Sequence, residues 1–254
     1  MRLSGESKRQ LGAVLALTAA LCLPRLLASP PYVPADVAGP GMVEATPSPR
    51  PDSGSMRIAI TFDDGPRRST TTRLLDGLAE RGVPATFFLV GTQLEYTEDL
   101  ALRMEAEGHQ VGIHSFDHVG LTGLSKADFD AQVDKTRRLL AGILGHSDFV
   151  LRPPYGQLDP GIKAHANAPI ILWSVDPEDW NDQKADRVVR DVLKTAKSGD
   201  IILMHDIFDS SVDAALEIID ALHKQGYLFV TIDELFAQQQ IDLEPGKVYG
   251  NAYS

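Results

Sequence analysis

From Met56 onward, short β-prone runs alternate with stretches of helical periodicity, and few architectures accept that order. The strand candidates are 57–62, 85–90, 110–114, 149–152, 170–175, 201–205 and 228–230. Between and after them lie helical patterns at 71–80, 98–107, 126–144, 184–196, 212–224 and 233–239. In 212–224, Val212, Ala215, Leu216, Ile219 and Leu222 recur at steps of three and four, the spacing of a buried helical stripe. Gly82, Gly108, Gly145 and Gly226 follow helical patterns where C-terminal caps belong. Strands that alternate with helices pair in parallel, because each crossover returns the chain to the same end of the sheet. The expectation is an α/β fold with about seven parallel strands, open or closed into a barrel, without an internal repeat.

In parallel α/β folds chemistry collects at the carboxyl ends of strands. Polar residues at or just past those ends are Asp63, Asp64, His114, His118, Arg152, Asp176 and His205. Adjacent carboxylates in Thr61-Phe62-Asp63-Asp64-Gly65-Pro66 repel unless a cation or proton neutralises them, so one suits metal ligation and its neighbour suits a base. In His114-Ser115-Phe116-Asp117-His118 the spacing of four sets two imidazoles on one face of a helical turn, an arrangement that holds zinc-type ions. With Asp64 added, two histidines and a carboxylate leave open positions, which suits catalysis.

Two prolines stiffen Arg152-Pro153-Pro154-Tyr155-Gly156, where Arg152 is suited to pin Asp63 and the Tyr155 backbone N–H to meet an oxyanion. Asp176-Pro177-Glu178-Asp179-Trp180 sets an aromatic face for a sugar beside acids, and Leu203-Met204-His205 ends an apolar strand on a group that titrates near neutrality. Each segment alone also has a plain structural reading: a solvated Asp-Gly turn, surface histidines, a Pro-Pro turn, a packed indole, a satisfied core histidine. Their order and joint placement at strand ends carry the functional reading. His109, His146, His165 and His223 are expected to be structural or solvated.

The first 28 residues read as an address, a secretory signal or an N-terminal membrane anchor. Lys8 and Arg9 precede an apolar run from Leu11 to Leu23, and small residues follow near Ala28. Residues 29–55, rich in Pro, Ala, Gly and Ser, read as an extended linker. Residues 56–240 then form the catalytic domain and 241–254 a C-terminal tail. The only cysteine is Cys22, so past the signal any metal rests on histidine and carboxylate. Of the formal charge of −11, residues 56–254 carry −12, from 19 basic and 31 acidic residues. Such a domain repels nucleic acid and anionic lipid. A monomer outside the cytoplasm (in the periplasm, envelope or medium) is the expected state, with membrane attachment through the N-terminus as the alternative to free secretion.

The five segments TFDDGP (61–66), HSFDH (114–118), RPPY (152–155), DPEDW (176–180) and LMH (203–205), in this order, resemble the signature of the polysaccharide deacetylases, the NodB-homology enzymes of carbohydrate esterase family 4. The resemblance spans roughly Arg57 to Gln238. It implies a distorted (β/α) barrel with fewer than eight strands and a metal-dependent hydrolase that removes N-acetyl groups from N-acetylglucosamine residues of an envelope glycan, peptidoglycan or chitin-like, releasing acetate. Carried over, it implies that Asp64, His114 and His118 hold a divalent metal, zinc by preference, with Co2+, Ni2+ or Mn2+ as alternatives. Asp63 is then the general base and His205 the general acid assisted by Asp176. Arg152 orients Asp63, the Tyr155 N–H stabilises the oxyanion, and Leu203 and Trp180 line the acetyl pocket. Short loops lead to the expectation of an open groove for a polymer. The rival readings are an O-acetyl polysaccharide esterase of the same family and a silent carbohydrate-binding envelope protein. A metallophosphatase is disfavoured by the acidic domain and the lack of a phosphate-cradling glycine loop.

Overall fold

The computed structural model describes residues 55–253. The address segment with Cys22, and all but the last residue of the linker, lie outside the described residues. Eight strands form: β1 (Met56–Asp63), β2 (Thr86–Leu89), β3 (Gln110–Ile113), β4 (Val150–Leu151), β5 (Ile170–Ile171), β6 (Ile201–His205), β7 (Tyr227–Phe229) and β8 (Val248–Tyr249). Nine helices accompany them among the described residues. They are α1 (Arg68–Arg81), α2 (Gly91–Leu94), α3 (Glu98–Ala106), α4 (Lys126–Leu144), α5 (Pro160–His165), α6 (Asp179–Asp182), α7 (Ala185–Thr195), α8 (Asp209–Lys224) and α9 (Ile232–Gln238). None is long and apolar enough to cross a membrane.

The strand order is β6-β1-β2-β3-β4-β5-β8, and β7 pairs with the first residues of β1. Every pairing between these strands is parallel. A bridge from Val175 to Ile202, with the Leu203 N–H donating to the Val175 carbonyl at 2.9 Å, brings the chain after β5 back to β6 and curls the sheet into a barrel. All seven expected strands are present. The fifth is shorter than 170–175 because its chain changes neighbours: Ile170 and Ile171 pair with β8, whereas Ser174 and Val175 donate to the Ile201 carbonyl.

β1 sets the two cores. Its first residue is exposed and the other seven are buried, as expected of a central parallel strand. Period-two alternation sends Ile58, Ile60 and Phe62 into the larger apolar cluster, with Leu74, Leu78, Ile219 and Leu222 of the helices. Ala59 points the other way, into a second cluster with Phe88, Val150, Ile171, Ile201 and the α9 residues Ile232, Leu235 and Phe236. The same alternation turns Thr61 and Asp63 to the inner side. On α8 the expected stripe is buried at Val212, Ala215, Ile219 and Leu222, while Leu216 is half-buried against α1. Gly77 of α1 allows that approach, since a Cβ there would meet the Leu216 side chain at 2.6 Å.

The expected helix ends hold. Gly82 and Gly145 cap α1 and α4 in the left-handed region, at φ 61° and 81°. Residues 241–253, expected as part of a C-terminal tail, pack onto the sheet. β8 pairs with β5, the Ala252 N–H donates to the Gly199 carbonyl at 2.8 Å, and the Tyr253 hydroxyl bonds Asp200. This segment fills the gap where β5 and β6 part. The strand is two residues long in a polar stretch, so no periodicity announced it.

Candidate active site

Adjacent strand ends deliver the site. β1 ends on Asp63 with Asp64 just beyond, β3 stops one residue before His114, β4 one residue before Arg152, and β6 ends on His205. In the β1–β6 register Asp63 pairs with His205. Asp64, His114 and His118 each turn one ligand atom to a common point, all within 4.8 Å of one another.

The two histidines reach that point by a route other than the helical turn expected. His114 follows a strand and His118 sits in a loop, with rings 5.1 Å apart. A helix cannot form there because the carbonyls of Ser115 and Phe116 accept from the N–H groups of Gly91 and Thr92, at 3.1 and 2.8 Å. Gln132 Oε1 accepts from the Phe116 and Asp117 N–H groups. Left-handed backbone at Asp64, Ser115, His118 and Tyr155 (φ 77°, 62°, 59° and 62°) re-aims the side chains, a strain held in place by these hydrogen bonds.

The donor set fits a divalent cation. His114 Nδ1 lies 2.7 Å from the Arg152 carbonyl, which accepts its proton and leaves Nε2 with a free lone pair. That Nε2 is 3.4 Å from Asp64 Oδ1, and His118 Nε2 is 2.9 Å from the same oxygen. Asp64 Oδ1 is buried and takes no hydrogen bond, so acceptor faces acceptor, an arrangement a cation resolves. Burial raises the Asp64 carboxyl, but the two imidazoles outweigh it and hold the group well below the usual carboxylate range. Contact with Asp64 raises His118, against the pull of burial.

Arg152 is fully buried. Its Nη1 donates to Asp63 Oδ1 and to Thr61 Oγ1, both at 2.7 Å, while Nε and Nη2 donate to the carbonyls of Ile171 and Leu172. The guanidinium lies 4.0 Å from the centre of the Phe88 ring. A buried cation so held fixes the orientation of the Asp63 side chain.

The partner of His205 differs from expectation. Asp179, 1% exposed, takes the ring Nδ1–H at 2.7 Å on Oδ1 and the His205 backbone N–H at 2.9 Å on Oδ2. Asp176 is exposed and accepts from the Glu178 N–H instead. The segment 176–180 holds three acids, and the turn ahead of α6 decides which one faces inward. Burial lowers His205, yet Asp179 chiefly, with Asp63 and Asp64, lifts it to about 9.

Tyr155 stands at the rim, its ring 5.0 Å from that of His118 and its hydroxyl donating to the His118 carbonyl at 3.4 Å. Leu203 is buried in β6, two residues before His205 and on the same side of the strand. Trp180 is half exposed on α6, next to Asp179. A cavity of about 370 Å3 opens at Asp64 and His118; neither Leu203 nor Trp180 lines it. A larger cavity, about 820 Å3, lies by Phe149, Val150 and Ile241, beside the start of β4 and away from the strand ends that carry the site. Asp206 is a buried acid next to His205 that the sequence did not single out. It is buried, bonded by the Thr71 hydroxyl, and packed over Gly65, where no Cβ fits. Burial raises its carboxyl to about 7.

Fold and site together define a (β/α)-barrel protein whose strand ends gather an aspartate and two histidines fit to ligate a divalent metal. The chain belongs to the polysaccharide deacetylase family, whose description "Polysaccharide deacetylase" matches residues 50–169. It is 40% identical over 184 residues to the peptidoglycan-N-acetylmuramic acid deacetylase PdaC of Bacillus subtilis, covering 72% of this chain and 39% of that protein. It is 36% identical over 186 residues to a peptidoglycan-N-acetylglucosamine deacetylase of Bacillus cereus, covering 70% of this chain and 68% of the relative. The chain thus spans well under half of the first relative's length. Among solved structures, a family 4 acetyl xylan esterase from Clostridium thermocellum in complex with a cobalt ion superposes with a TM-score of 0.74 at 28% identity, covering 78% of this chain and all of that one, 100%.

Proposed function

We propose that this chain is a metal-dependent hydrolase that removes N-acetyl groups from N-acetylglucosamine residues of an envelope glycan, peptidoglycan or a chitin-like oligomer, and that it works outside the cytoplasm. The observation that carries the reading is the register of β1 and β6. It sets a carboxylate, Asp63, next to a charged-form histidine, His205, at the strand ends beside the Asp64–His114–His118 cluster. Amide hydrolysis needs both a base for water and an acid for a poor leaving group.

Asp64, His114 and His118 would hold the metal, zinc by preference. When bound, it supplies Lewis-acid polarisation of the acetamide carbonyl and activation of water. Asp63, oriented by Arg152, accepts the proton of the attacking water. As the water oxygen bonds the carbonyl carbon, the Tyr155 N–H stabilises the oxygen that gains charge. The C–N bond then breaks, its electron pair goes to nitrogen, and His205 Nε2–H protonates the departing amine while Asp179 holds Nδ1. The products are acetate and a free amino sugar.

The test is acetate release by the full-length, zinc-loaded protein from acetylated chitooligosaccharides and from peptidoglycan, with Asp63→Ala and His118→Ala beside it. Release that requires both residues supports the reading; release that survives either substitution, or none from wild type with metal bound, removes it. The likeness to an acetyl xylan esterase favours a second reading, O-acetyl ester hydrolysis. An ester leaves without protonation, so His205→Ala would spare ester turnover and abolish amide turnover.

A further inference from the structure

Asp179, the partner of His205, sits on a turn that cannot hold its own shape. Between the bridge at Val175 and the start of α7 the chain forms one helix, α6, of four residues. So short a helix does not persist on its own hydrogen bonds. Glu178 before it and Gln183 after it are left-handed, at φ 49° and 52°, a conformation that neither residue type favours. From inside, Asp179 bonds the ring and backbone of His205. From the other side the turn is met by Arg187 of α7, a residue the sequence did not single out.

The Arg187 guanidinium uses all five of its N–H donors. Nη1 donates to the Pro177 carbonyl at 2.7 Å and Nη2 to the Glu178 carbonyl at 2.8 Å, the two carbonyls just ahead of Asp179. Nε and Nη2 also donate to the Asp182 carboxylate, at 3.0 and 2.9 Å, and the remaining Nη1 proton goes to Asp191 Oδ2 at 3.2 Å. One side chain thus spans the turn from residue 177 to residue 182. Arg187 is the third residue of α7, at the positive end of that helix, where the helix dipole disfavours a cation. The acids and carbonyls that it meets stabilise it there.

We infer that Arg187 is a positioning residue for the Asp179–His205 pair: its fork on the Pro177 and Glu178 carbonyls fixes the turn so that Asp179 faces His205 and Asp176 faces solvent. The inference rests on the deacetylase reading, in which His205 is the general acid. Two effects of losing Arg187 carry opposite signs. As a charge alone, a cation removed, with Asp182 and Asp191 left unpaired, makes His205 easier to protonate. As a positioning residue, its loss loosens the turn. Burial lowers His205 and the Asp179 contact chiefly lifts it, so a loosened contact makes the ring harder to protonate.

The test follows the His205 ring by NMR titration in the full-length, zinc-loaded protein, as wild type, Arg187→Gln, Arg187→Lys and Asp182→Asn. Acetate release from acetylated chitotetraose and peptidoglycan, and hydrolysis of 4-nitrophenyl acetate, are measured in parallel. Arg187→Gln lowers the ring midpoint by about one pH unit and kcat on the amide about tenfold, and leaves the ester, which departs without protonation, within about twofold of wild type. Arg187→Lys keeps the charge but not the fork, and behaves like Arg187→Gln. Asp182→Asn breaks the ion pair but keeps both carbonyl contacts, and leaves the midpoint in place. A midpoint that stays or rises in Arg187→Gln, an equal fall in Asp182→Asn, full rescue by Arg187→Lys, or equal loss on amide and ester would overturn the inference. If wild type released no acetate from either glycan while the midpoint still fell in Arg187→Gln, the deacetylase reading would fall and the positioning role would stand.

Discussion

Asp179 grips His205 with both carboxylate oxygens, one on the ring Nδ1–H at 2.7 Å and one on the backbone N–H at 2.9 Å. The grip fixes the tautomer, aims Nε2 at the site, and keeps the ring protonated to about 9 against the pull of burial. A histidine that acts as an acid works below its pKa, so the rate falls as pH rises through that value. Asp179→Asn removes the charge, moves the basic limb of the kcat profile to lower pH, and lowers kcat about 100-fold. Asp176→Asn, at the exposed acid, leaves the limb in place. A shift with Asp176→Asn alone would reverse the assignment.

Arg152 and Asp63 form a buried pair, 0% and 3% exposed. Arg152→Met leaves the Asp63 charge unpaired and destabilises the fold by ~3–5 kcal/mol, measured by urea unfolding. Arg152→Lys keeps the charge but not the four-way fork, so kcat falls while the stability loss is smaller. Equal stability of wild type and Arg152→Met would show that the pair contributes nothing to the fold.

Protons compete with metal for the cluster, because Asp64 raises His118. Zinc affinity, read by competition with a chromophoric chelator, therefore falls as pH is lowered from about 8 to about 6. His118→Ala weakens binding at least about 100-fold and leaves the far-UV circular dichroism unchanged. A pH-independent affinity would mean that His118 is not a ligand.

The Asp206 carboxyl, raised to about 7 by burial, favours the protonated form in the fold. In the unfolded chain the carboxyl ionises near the ordinary 3.8, so stability falls as pH rises between that value and about 7. Asp206→Asn removes this decline, which thermal unfolding at pH 5 and pH 8 would detect as a smaller difference in Tm. A difference as large as wild type's would place the titration elsewhere.

Deleting residues 247–254 uncovers the β5 edge and strips the hydrogen bonds to Gly199 and Asp200. The expected loss is more than about 2 kcal/mol, with activity per folded molecule retained, because the site lies at the other strand ends. Unchanged stability would make the segment an ornament of the fold.

The seven long-range strands, the capped helices and the five motifs were legible in the sequence because each is local: a period of two or of 3.6, a glycine after a helix, acids and histidines at strand ends. Arg152 with Asp63, and Asp64 with the two histidines, were nameable for the same reason, since strand ends of a parallel sheet share one edge. What periodicity cannot carry was left to tertiary structure. The choice of Asp179 over Asp176 turns on which way one bend faces. The loop path of His114 to His118 depends on carbonyls captured by Gly91 and Thr92, residues more than 20 positions upstream. β8 exists only because β5 offers an edge, and Asp206 matters only because Gly65 leaves room above it. The contact of Arg67 Nη1 with the Ile207 carbonyl joins residues about 140 apart in the chain, and only the curled sheet brings them together.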